Sequence, residues 1–162
     1  MDNRVARLGT AAFFLAMGGA LVLLLLKTGP VDQFWFSEDR QERITVGRII
    51  YERNCSSCHG KNLEGQPDWQ TPLSTGKLPA PPHDKTGHSW HHPDAMLTGI
   101  TKRGIVPYVT PGYQSDMPAF EGKLSDEEIG NLWVYVKSTW PERERAYQEQ
   151  ITRQSLQKGT MQ

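Results

Sequence analysis

The sequence predicts an all-α protein, a small helical domain carried behind an N-terminal membrane-spanning helix. Three observations lead there. Leu8 to Leu26 is a run of nineteen residues without a charge. Residues 43–54 and 125–136 place apolar side chains at helical spacing: Val46, Ile50 and Tyr51 in the first, Ile129, Leu132, Trp133, Tyr135 and Val136 in the second. Between them, residues 60–82 show no period at all, and nothing ahead of Cys55 has the pattern of a buried strand.

At about 1.5 Å per residue the apolar run is about 28 Å long, close to the roughly 30 Å hydrocarbon core of a bilayer. Arg4 and Arg7 precede it; Lys27 follows, and then the acidic residues Asp32, Glu38 and Asp39. The positive-inside tendency keeps the first residues in the cytoplasm and exports the rest. A cleaved signal peptide is the competing reading. Against it, Ala16 and Gly18-Gly19-Ala20 are followed by more leucines, and no small-residue cleavage pattern follows Lys27. The expected organisation is an anchor over residues 1–27, a linker over 28–42, a folded domain over 43–140 and a polar tail over 141–162.

Formal net charge is zero, so no basic footprint suggests nucleic acid. Only 37% of residues are hydrophobic, many of them in the N-terminal run. A bound group that contributes apolar surface would offset so small a core.

The only two cysteines stand in Cys55-Ser56-Ser57-Cys58-His59. This spacing fits covalent haem attachment: two thiols reach the two vinyl groups along one edge of a porphyrin, and the adjacent imidazole falls under the iron. A thioredoxin-like pair would need a βαβ setting. A zinc site would have to borrow His83 and His88 across a long gap. A disulfide across so tight a loop would be strained.

In the first helix Gly47 stands four positions before Tyr51, at a cost of about 1 kcal/mol relative to Ala, which a close helix contact would explain. Gly47-x-x-x-Tyr51-x-x-x-Cys55-x-x-Cys58-His59-Gly60 resembles the opening of class I, mitochondrial-type c-type cytochromes. The resemblance extends over residues 43–140 and implies a small all-α haem domain with one covalently attached haem c. It implies that a carbonyl in the Pro-rich stretch Leu78–Pro82, at Pro81 or a neighbour, orients His59. It implies that Met117, held before Pro118, is the second axial ligand, a soft thioether that raises the reduction potential. Ser125 as N-cap with Glu128 at N3 reads as a capping box that opens the last helix, and the resemblance implies that Leu132 and Tyr135 of that helix meet Gly47 and Tyr51.

His83, His88, His91 and His92 read as a solvated surface loop, with a distal ligand or a separate metal site as alternatives. Pro93 opens a short helix that Lys102, Arg103 and Gly104 end. The tail beyond Glu142 could be a helix ending near Gln157 but lacks an apolar stripe; it reads as solvated by default, with disorder or a partner-docking extension open.

The cofactor-binding residues expected are therefore Cys55, Cys58, His59 and Met117, the last two on the metal. With both axial positions filled by protein, chemistry on small molecules at the iron is disfavoured. The expected function is single-electron carriage between redox partner proteins, in the periplasm, from an anchor in a bacterial inner membrane. A fixed subunit of a larger membrane respiratory or photosynthetic oxidoreductase and a haem-based sensor are the alternatives.

Overall fold

A computed structural model of the chain describes residues 30–160, and the expected membrane span lies outside them. Among the described residues no helix is long and apolar enough to cross a membrane, and no β-strand occurs. Residues 40–162 form one compact unit, which holds the core and the site described below.

The helices are α1 (Pro30–Asn54), α2 (Ser56–His59), α3 (Asp94–Arg103), α4 (Asp126–Ser138) and α5 (Glu142–Thr160), with 3₁₀ turns at Ser89–His91 and Val106–Tyr108. The first helix starts at Pro30, so most of the expected linker is helical. Proline is at home in a first turn, and no further Gly or Pro interrupts the chain before Gly47.

The core joins α1, α3 and α4: Ile50, Tyr51, Leu63, Leu97, Ile129, Leu132, Trp133, Val136 and Trp140 form one buried cluster. Where α1 crosses α4, a Cβ on Gly47 would lie 2.0 Å from the Asn131 carbonyl oxygen and 2.9 Å from the Tyr135 Cβ. Only a residue without a side chain allows that approach. Arg43 Nε donates to Asn131 Oδ1 (2.8 Å) beside it. The Tyr51 and Tyr135 rings pack with centroids 5.7 Å apart. The helix pairing expected at Gly47 and Tyr51 is thus present.

The capping box of α4 is complete: Ser125 Oγ accepts from the Glu128 amide (3.2 Å), and the Glu128 carboxylate accepts from the Ser125 amide (2.8 Å). Lys102 pairs with Asp126 (2.6 Å) and Lys137 with Asp94 (2.9 Å), tying α3 to α4. Pro93 caps α3 from just outside, and Arg103 ends it as expected.

The C-terminal segment differs from the solvated tail. It is helical over nineteen residues and packs on the Ser89–His91 turn. Gln148, fully buried, donates to His92 O (3.2 Å), Asp94 Oδ1 (2.6 Å) and Thr152 Oγ1 (3.1 Å). Its Oε1 finds no partner among the described residues, which lowers the net contribution of the side chain. Gln148→Ala should loosen α5 by about 2 kcal/mol, so its amides exchange about 30-fold faster while those of α4 stay protected. Hydrogen-exchange mass spectrometry reads both.

Candidate functional site

Cys55, Cys58 and His59 lie within a single turn. The amides of Cys58 and His59 both donate to the Cys55 carbonyl (3.1 and 2.9 Å), so the two thiols and the imidazole are presented together. Neither cysteine is in a disulfide; Cys55 is half-buried and Cys58 exposed. Burial, with Cys58 beside it, pushes the Cys55 thiol up to about 11. A thiol-redox pair needs the opposite, a thiolate favoured near neutrality.

His59 is buried, and its Nδ1 donates to the Pro81 carbonyl at 2.8 Å. Burial holds its pKa below the usual imidazole value, with the Pro81 bond opposing, so the ring is neutral at pH 7. Nδ1–H on a carbonyl leaves Nε2 as the lone-pair nitrogen, the form a metal-ligating histidine takes.

The position of Pro81 follows from two strands of loop zipped together. The Gly65 amide donates to His59 O (2.8 Å) and Gln66 N to Ala80 O (2.9 Å), while Ala80 N donates to Gln66 Oε1 (2.9 Å). The Leu63 carbonyl takes the amides of His83 (2.8 Å) and Asp84 (3.2 Å). A Cβ on Gly65 would sit 2.5 Å from Pro82 N, so the loops close this tightly only over glycine. On the other side Tyr51 Oη donates to Gly60 O (2.7 Å), bracing the residue after His59 from α1.

Met117 arrives on a separate segment and is half-buried. Its amide donates to Ser115 Oγ (3.0 Å), and Asp116 pairs with Lys77. Just beyond, Phe120 N donates to Thr101 O (3.1 Å) and Glu121 N to Lys102 O (2.9 Å), hooking the loop to the end of α3.

The histidines are not one solvated group. His83 is half-buried: its ring stacks on that of His59 (centroids 4.1 Å, 25° between planes), and its edge meets Trp133 at 5.5 Å. Rings lying face to face at that distance leave no room for a porphyrin between them. His83 therefore shares a side with His59 and does not oppose it.

His88 stacks on Trp69 (5.4 Å) and meets His92 edge-on (5.3 Å), while His91 stacks on Trp90 (3.7 Å) against Tyr147 of α5. Among the described residues no set of three or more His, Cys, Asp or Glu side chains could hold a metal ion.

Desolvation, and then the neighbouring histidines, lower the pKa values of His88 and His92 below the ordinary imidazole value of 6.5. The unfolded chain thus binds more protons once the pH drops through 6.5. Stability is intact above that pH and falls as pH descends toward the folded-state values. Denaturant midpoints between about pH 7 and pH 5, where carboxylates remain largely ionised, should decrease with acid, and His88→Gln/His92→Gln should flatten the slope.

The pattern has known counterparts. A family model described as "Cytochrome c" matches residues 44–140, well over half of the chain. The cbb3-type cytochrome c oxidase subunit CcoP of Azospirillum brasilense is 34% identical over 90 residues, which is 56% of this chain and 26% of that protein. The subunit FixP of a cbb3-type cytochrome c oxidase from Bradyrhizobium sp. (strain ORS 278) is 32% identical over 93 residues, 57% of this chain and 26% of its own length. The chain thus matches about a quarter of the length of these relatives. No solved structure matches it significantly. Two free thiols and a neutral imidazole on one turn suit the cofactor of that family. The chain belongs to the cytochrome c family of electron-transfer proteins, whose haem c is bound covalently.

Proposed function

We propose that the domain carries single electrons with Cys55 and Cys58 as the haem attachment points and His59 and Met117 as the axial ligands. The observation that carries this is the His59–Pro81 bond on the same turn as both thiols. The group, once bound, supplies the one-electron iron couple. Cys55 and Cys58 tether it, and the Pro81 carbonyl sets the tautomer and raises the basicity of His59. Met117 supplies a soft ligand favouring the ferrous state. The buried α1–α4 cluster excludes water from the His59 side. The domain works on the periplasmic side of a bacterial inner membrane, held there by residues 8–26.

A reduced pyridine haemochrome spectrum of the purified full chain is the direct test. The spectrum of a haem with both vinyl groups saturated is expected, and its absence would overturn the reading. A second reading, a fixed subunit of a membrane oxidoreductase, is favoured by relatives named as subunits of cbb3-type oxidases. Size exclusion in mild detergent separates the two, because a red species of monomer mass would sink the subunit reading.

A further inference from the structure

We propose that His83 is a positioning residue for His59, fixing the rotation of the axial imidazole about its own ligand axis. This rests on the reading of His59 as an axial ligand.

The need for such a residue follows from geometry. The Pro81 carbonyl holds His59 at Nδ1, and the metal bond would hold it at Nε2. The two bonds leave the ring at a wide angle and not along one line, so together they fix where the ring points and restrain its plane. A hydrogen bond tolerates bending, however, so that restraint on the plane is soft. A flat partner lying against the ring face stiffens it, and His83 lies there, at 4.1 Å and 25°.

A partner can impose a plane only if its own plane is fixed, and His83 is held at a ring nitrogen, at its ring edge and through its backbone. Its Nδ1 is hydrogen-bonded with Ser89 Oγ (2.7 Å), a buried hydroxyl. Its ring edge stands on Trp133 at 78°. Its amide donates to Leu63 O (2.8 Å), and its carbonyl accepts from Trp140 Nε1 (2.7 Å). The loop around it is built for closure: Thr86 N and the Asp84 carboxylate bond at 2.7 Å, and a Cβ on Gly87 would lie 2.0 Å from Pro82 O. An aliphatic residue would fill the same space without defining a plane. Histidine adds to a flat face the in-plane nitrogen that Ser89 tethers.

The test uses the haem-loaded full chain, with the pyridine haemochrome spectrum recorded first. A wild-type chain that carries no haem, or is not low-spin when ferric, defeats the functional reading itself. On loaded protein, the ferric electron paramagnetic resonance spectrum reports the plane of the axial imidazole. His83→Leu should shift or broaden its principal g-values. It should also change the oxidised-to-reduced ratio at fixed poise by about threefold, which is about 28 mV for a one-electron couple at about 59 mV per tenfold. His83→Phe keeps the flat face and should stay nearer wild type in g-values. Ser89→Ala removes only the tether and should move the g-values in the direction of His83→Leu by a smaller amount. Wild-type g-values in His83→Leu, or in Ser89→Ala if the first variant fails to load, overturn the proposal. So does a His83→Phe spectrum displaced as far as that of His83→Leu.

Discussion

Met117→Ala is expected to abolish the weak long-wavelength charge-transfer band of the ferric protein that marks sulfur on haem iron. The reduction potential should fall by about 0.2 V, within the roughly 0.8 V that axial ligands span. A thioether stabilises Fe(II) over Fe(III), and water or a small anion in its place does the reverse. The fold should survive. The side chain is only half-buried, and the loop's backbone is held independently, by Phe120 and Glu121 on the end of α3 and by Asp116 on Lys77. A loss of band and potential with a normal melting transition therefore isolates the ligand effect. Met96, half-buried on α3, is the control, and Met96→Ala should leave both readouts in place. A persistent band in Met117→Ala would show that the sulfur comes from elsewhere.

The features legible in the sequence are those written in local spacing. Two thiols and an imidazole on one turn, Ser125 three residues before Glu128, and Gly47 four before Tyr51 each specify a geometry that the chain meets by itself. Pro81 was legible only together with the family pattern, since nothing local to it points at His59. What stayed hidden depends on polar groups satisfied at a distance. His83 resembles any loop histidine until Leu63, Ser89 and Trp140 bind its backbone and ring. The docking of α5 runs through Gln148 and the aromatic contacts of Tyr147, so no apolar stripe announces it. The early start of α1 was hidden for another reason: residues 37–43 are all polar and break the apolar spacing between Val31, Phe34 and Trp35 and the face that begins at Val46.

Gly47→Ala should lower the melting temperature by about 10 °C, although alanine is the better helix former. Propensity favours the substitution by about 1 kcal/mol. Packing opposes it more strongly. The new Cβ would meet the Asn131 carbonyl oxygen at 2.0 Å, at least about an ångström short of an ordinary contact, and that oxygen belongs to the backbone of α4. No rotamer change relieves such a clash, so α1 and α4 must separate, at about 3 kcal/mol for an overpacked, rigid site. The net loss of about 2 kcal/mol corresponds to about 10 °C in a domain near 100 residues. The shift also has a direction. Tyr135 moves with α4, Tyr51 packs on Tyr135, and Tyr51 Oη holds the Gly60 carbonyl one residue beyond His59. A far-UV melt that drops while the haem absorption band broadens before unfolding is the expected pair of results. Melting at or above the wild-type temperature would mean that α1 and α4 do not approach this closely, and that Gly47 has no packing role.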